Sequence, residues 1–113
     1  MPIKMFHNRY LFVRIADRHY KDVYKLIIDG FSKLYGYVSL GHARIKIVEF
    51  YDKEGVLILR VDSKFHNHLI TAIKYVSINK GLELEIMGSS STLRQGRMRF
   101  ISRWYNGLVI TND

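Results

Sequence analysis

The order in which two hydrophobic periods alternate along the chain limits its fold more than any other feature. Arg9 to Ala16 reads Arg-Tyr-Leu-Phe-Val-Arg-Ile-Ala, rich in β-branched and aromatic residues and bounded by Asn8 and Asp17. It predicts a strand with Leu11, Val13 and Ile15 on one face and Tyr10, Phe12 and Arg14 on the other. From His19 to Tyr35 the period becomes helical, with Val23, Leu26, Ile27, Phe31 and Leu34 in one stripe. Asp17 is a fair cap for that helix and Gly36 a fair stop. Gly30 weakens it by about 1 kcal/mol relative to alanine, which close packing would justify. His42 to Asp52 returns to period two. Ala43, Ile45 and Ile47 take one face; His42, Arg44, Lys46, Val48 and Phe50 take the other. Asp52-Lys53-Glu54-Gly55 predicts a hairpin turn, with glycine where a positive φ is needed. Val56 to Asp62 is the returning strand. Ser63 can cap a second helix, Lys64 to Asn79, buried through Phe65, Leu69, Ile73 and Val76 and stopped at Lys80-Gly81. Leu82 to Met87 alternates apolar and acidic residues, as an edge strand with Glu83 and Glu85 facing out would.

The resulting order, β-α-β-β-α-β, predicts an α+β sandwich of the ferredoxin-like, RRM-like kind. That fold has a four-stranded antiparallel sheet with two helices on one face. A further basic helix follows at the C-terminus. We expect one RNA-binding domain over residues 1–113, with short flexible ends at about 1–7 and 108–113. The other sheet face would carry Tyr10, Phe12, Arg14, Arg44, Lys46, Phe50, Ile58 and Arg60. Rings among cations resemble the sheet of RNA-recognition domains, where bases stack on aromatics. The aromatic motif of that family is missing, because the third strand here reads Gly-Val-Leu-Ile-Leu-Arg-Val. The preferred expectation is that Phe12, Phe50 and Ile58 pack under the C-terminal helix through Phe100 and Trp104.

The segment from Gly88 to Trp104 holds Arg94, Arg97, Arg99 and Arg103 and no acidic residue. Leu93, Phe100, Ile101 and Trp104 share one helix face, and the arginines spread over the others. Ser89, Ser90, Ser91 and Thr92 can cap this helix and donate hydrogen bonds to a phosphate at its start. The whole chain has 18 Lys and Arg against 10 Asp and Glu, a net charge of +8. Such a balance favours a polyanionic partner, since neutralising phosphates releases counterions. There is no cysteine, which excludes disulfides and thiolate metal sites. No apolar run approaches the roughly 18 residues of a membrane span, and the first residues lack the apolar core of a signal peptide.

Signs of catalysis are missing. The sequence has no Gly-x-Ser-x-Gly and no Gly-rich phosphate loop. His66 and His68, two apart on a helix, point in different directions and make a poor metal pair. Asp52, Glu54 and Asp62 surround the hairpin but are expected to be solvated rather than to hold magnesium. Glu49, between apolar strand neighbours, is expected to pair with a lysine or arginine. We therefore expect no catalytic residue, no metal and no cofactor on the polypeptide.

Several segments together resemble the small ribonuclease P protein subunit of archaea and eukaryotes, called component 2 in the archaeal enzyme. Arg9-Tyr10-Leu11 is similar to that family's first strand, and the hairpin followed by Leu59-Arg60-Val61 to its third. Met87-Gly88-Ser-Ser-Ser-Thr92-Leu-Arg94 is similar to its strand end entering the last helix, with Ser91 where a glycine often precedes the threonine. The resemblance runs to about Ile101. It implies an accessory subunit of the ribonucleoprotein that removes the 5′ leader from precursor tRNA. The catalyst would be the RNA subunit with its magnesium, and this chain would support the RNA's catalytic domain together with the barrel-like component 3 protein. A short, unadorned chain looks archaeal and cytoplasmic; a eukaryotic relative would be nuclear or nucleolar. Arg94, Arg97, Arg99 and Arg103, with Ser89 to Thr92, are the first expected RNA contacts; Arg9, Arg14, Arg44, Lys46 and Arg60 are second. Tyr20, Tyr24 and Tyr35, or Val109 and Ile110, are expected at the protein partner. Self-association as a homodimer or heterotetramer stays open. The alternatives are a general RNA-binding domain outside ribonuclease P and a ferredoxin-like regulatory module that binds a small ligand at a dimer interface.

Overall fold

The computed structural model describes residues 7–101, in the order β1 (Asn8–Ile15), α1 (Tyr20–Ala43), β2 (Lys46–Tyr51), β3 (Val56–Asp62), α2 (His66–Lys80), β4 (Leu84–Ser90) and α3 (Leu93–Phe100). The strands form one antiparallel sheet ordered β2-β3-β1-β4. This is the ferredoxin-like α+β arrangement that the alternating periods predict. On one side Leu11, Val13, Ile15, Leu57, Leu59 and Val61 pack against Val23, Ile27 and Phe31 of α1 and Leu69, Ala72 and Ile73 of α2. Burying a side chain of this size stabilises by about 1.5–3 kcal/mol relative to exposure, so this layer supplies most of the driving force. On the other side Phe12, Tyr51, Val56, Ile58 and Ile101 form a second, smaller cluster, joined by Leu93 and Phe100 of α3.

Gly30 owes its place to close packing. A Cβ built there would lie 2.5 Å from Val76 Cγ2, so the glycine lets α1 approach α2. Gly55 closes the hairpin at φ 68°, donating to Tyr51 O at 2.8 Å and accepting from Ile15 N at 2.7 Å.

Several boundaries differ from the expectation. Gly36 breaks the helix at φ 89°, but residues 37–43 resume helical geometry, so β2 starts at Lys46 and not at His42. Ala43, fully buried, ends that turn, and Arg44 caps it in the left-handed region at φ 51°. Asp17 does not cap α1; its Oδ1 accepts from His19 N at 2.8 Å in the preceding turn. Asp62, rather than Ser63, caps the entry to α2 by accepting from Lys64 N at 3.0 Å. β4 continues through Ser90, so Ser89 and Ser90 are strand residues and not helix caps.

Two register shifts change which residues face where. The β2–β3 pairing runs Ile47 to Leu59 and then Glu49 to Ile58, leaving Val48 as the extra residue of a bulge. One inserted residue exchanges the faces of everything after it. Phe50 therefore turns to the helical side, where its ring stacks on Tyr20 at 4.6 Å, and does not lie under α3 as expected. Glu49 and Tyr51 turn to the α3 side. In β4 the shift falls at Met87, which sets Gly88 opposite Phe12, Ser89 opposite Leu11 and Ser90 opposite Tyr10.

Candidate nucleic-acid interface

A helix of eight residues is too short to persist on its own, so its seating decides whether α3 can present anything. Thr92, extended at the N-cap, accepts from Gln95 N at 3.3 Å. Ser90, buried at the end of β4, donates from Oγ to Thr92 O at 2.7 Å and fixes the turn between strand and helix. Two glycines then let helix and sheet touch. Phe100 lies over Gly88, where a Cβ would be 2.5 Å from Cζ, and Gly96 lies against the Phe12 ring, which any Cβ would overlap. The Phe12 and Phe100 rings are 5.0 Å apart. Phe12 and Ile58 are fully buried by this contact, as expected; Trp104 lies outside the described residues.

An ion pair locks the arrangement. Arg97 Nη2 of α3 donates to Glu49 Oε1 of β2 at 2.6 Å, which meets the expectation that Glu49 pairs with a basic side chain. Burial works against the charge on Arg97, but the bond to Glu49 and the neighbouring Tyr51 hydroxyl outweigh it and move its pKa upward. Burial, then the hydrogen bond to Glu49, raises Tyr51. Arg97 is thus engaged in holding α3.

The remaining expected RNA contacts fall into distinct groups. Arg94 and Arg99 are exposed on α3, and neither has a carboxylate partner among the described residues; the Arg99 guanidinium sits 5.7 Å from the Phe100 ring centroid. Ser91 and Thr92 are exposed at the start of α3. Lys46 and Arg60 pair across β2 and β3 on this same side of the sheet. Arg14 is bound to Glu85 at 3.4 Å. Arg44 donates to Asn8 Oδ1 at 3.2 Å. Arg9 points to the helical side with Ser89, whose Oγ accepts from it at 3.0 Å. Burial, with the Arg9 charge beside it, lowers the pKa of nearby His66. Arg103 lies outside the described residues. Sequence reasoning missed Tyr51, Gly88 and Gly96 as seating residues. The available signal was a glycine inside an otherwise basic helix.

The three tyrosines expected at a protein partner are partly buried and pack against the core. Tyr20 stacks on Phe50, Tyr24 donates to Ile45 O at 2.8 Å, and Tyr35 packs on Phe31 and His68. Leu34, Tyr37 and Val38 are the exposed apolar residues of α1, with Tyr37 83% and Val38 75% accessible. Tyr37 also lines a shallow cleft of about 240 Å³, with Tyr24, Lys25, Ile28, Asp29, Ser32 and Leu40. Val109 and Ile110 lie outside the described residues. Asp52 is bound to Arg18 at 3.0 Å, and Asp62 is occupied by its cap. Among the described residues no three metal-ligating side chains come together, and no helix is long and apolar enough to cross a membrane.

Fold and site define a ferredoxin-like α+β protein whose second sheet face is covered by a short basic helix. Residues 9–101 match the profile of the Rpp14/Pop5 family, a family of ribonuclease P protein subunits, and the chain belongs to that family. No individually curated protein matches it.

Proposed function

We propose that this chain is a non-catalytic subunit of ribonuclease P that binds the catalytic domain of the RNA subunit through the α3 side of its sheet. The observation that carries this reading is the pair of unneutralised guanidiniums, Arg94 and Arg99, on a helix held rigidly against the sheet by Phe100, Gly96 and the Arg97–Glu49 pair. Because the helix backbone is already seated, only side-chain freedom is lost when a guanidinium meets a phosphate, and each phosphate it neutralises releases counterions. The RNA subunit, with its magnesium, performs the cleavage of the 5′ leader of precursor tRNA. The protein offsets phosphate repulsion within the folded RNA and so lowers the magnesium it needs. We assign the component 3 protein to the apolar face of Leu34, Tyr37 and Val38, in place of Tyr20, Tyr24 and Tyr35.

The test is precursor-tRNA cleavage by the cognate RNA subunit at low magnesium, with component 3 present, with and without this chain. Activity should depend on the chain and fall more with Arg94→Ala than with Lys21→Ala, an exposed lysine on α1 away from the α3 side. Activity indifferent to the chain would remove the proposal. Equal losses in the two variants would remove Arg94 from the interface.

A further inference from the structure

Lys46, Arg60, Tyr10 and Ser90 form one row across all four strands on the α3 side of the sheet, each directly opposite the next. Lys46 and Arg60 are therefore like charges in direct cross-strand register, an arrangement that destabilises a sheet. Neither cation makes an ion pair among the described residues: of the carboxylates on this face, Glu49 pairs with Arg97 and Glu85 with Arg14, and Asp62 accepts from the Lys64 N–H. Tyr10 is half-buried, and its hydroxyl has no hydrogen-bond partner among the described residues. The second apolar cluster, centred on Phe12, Ile58 and Tyr51, takes in the Tyr10 ring, and Ser90 is buried at the end of β4, whereas Lys46 is exposed and Arg60 partly exposed.

We propose that this row is a second RNA contact, separate from α3, at which Lys46 and Arg60 hold two phosphates of one strand and the Tyr10 hydroxyl donates to one of them. The inference rests on the RNA-binding reading above and adds a location to it. An RNA backbone supplies the negative charge that the protein withholds from this row. The same logic leaves Arg14 and Arg18 outside the contact, because each is already paired with a carboxylate.

The experiment is equilibrium binding of the full chain to the cognate RNA subunit over a salt series, for the wild type and for Lys46→Gln/Arg60→Gln, Arg94→Ala and Arg14→Ala. The double variant should bind more weakly, and its log–log salt slope should be shallower by about 1.5–2 units, two phosphates' worth. Arg14→Ala should leave the slope unchanged. An unchanged slope in the double variant, with Arg94→Ala shallower by about one unit, would overturn the row while sparing the proposed function. A loss in Arg14→Ala equal to half that of the double variant would also overturn it, since the chain would then be acting through diffuse charge. Wild-type protein with no salt-dependent binding would instead remove the proposed function. Melting without RNA gives an independent check. Lys46→Gln should melt no lower than wild type, and a clear drop would show the pair to be structural and overturn the proposal.

Discussion

Arg94 and Arg97 lie within one turn of the same helix, yet their surroundings assign them different work. Arg97 is half-buried against Glu49, and Arg94 is free in solvent. Glu49→Gln should lower the unfolding free energy by about 1 kcal/mol. A charge-assisted bond is worth more than that, but partial exposure of both groups screens it. Chemical denaturation checks this, with the midpoint reduced and its slope unchanged. Arg94→Ala should leave the midpoint within about 0.5 kcal/mol of wild type and show its effect only on RNA affinity. The sequence announced that Glu49 would find a basic partner, because a lone carboxylate among apolar strand residues needs one. It did not announce that the partner is Arg97, because the bulge at Val48 that turns Glu49 towards α3 has no local signature there. His66 offers a second residue-scale prediction. Its folded pKa is held below the usual 6.5 by burial and by Arg9, so the unfolded chain binds the proton more readily. The stability this gives is complete above about pH 7.5 and declines as pH falls through the unfolded value. The melting temperature should therefore drop as pH falls through and below the unfolded value of about 6.5, and His66→Asn should flatten that drop. Asp17, lowered chiefly by the backbone N–H of His19, acts in a separate window below its usual 3.8.

At the scale of elements, the helices and strands of the sandwich were legible because their apolar stripes are long and their stops are glycines. Gly36 and Gly81 do end the runs they were expected to end. The resumption of helix over residues 37–43 was not legible. His42 to Ile47 alternates in a way that either a strand or the end of a helix followed by a strand satisfies, and short runs do not separate these. The serine run misled for a related reason, since the residue types that cap helices also end strands, and only the ladder to β1 places Ser89 and Ser90 in β4. α3 depends on its glycine contacts more than on its own propensity. Gly96→Ala gains helix propensity of about 1 kcal/mol but drives a methyl into the Phe12 ring. It should release α3 while the α1–α2 side stays folded. Trypsin would then cut at Arg97 or Arg99 much faster than in wild type, with little change in far-UV circular dichroism. Gly30→Ala meets the same conflict between α1 and α2 and should cost about 1–3 kcal/mol of global stability, read from the denaturation midpoint.

Across the whole molecule the sheet separates two surfaces. The α3 side carries Arg94, Arg99, Lys46 and Arg60, and the helical layer on the opposite side carries the exposed Leu34, Tyr37 and Val38. The net charge of +8 pointed to a polyanionic partner without saying where it would bind. The division of labour comes from folding, because ion pairs neutralise some cations and leave others free. Two faces with no shared side chain should act independently. Under the proposed assignment, Tyr37→Asp, at a position 83% accessible, should leave the fold intact, weaken binding to the component 3 protein and leave the salt slope for RNA unchanged. Arg94→Ala should do the reverse. Measured on assembly of the three-part complex, the free-energy losses of the two variants should add to within about 0.5 kcal/mol in the double variant. A larger coupling would mean that the partner protein reaches over to the α3 side, or that the RNA touches α1, and the sheet would then not be the boundary between the two partners.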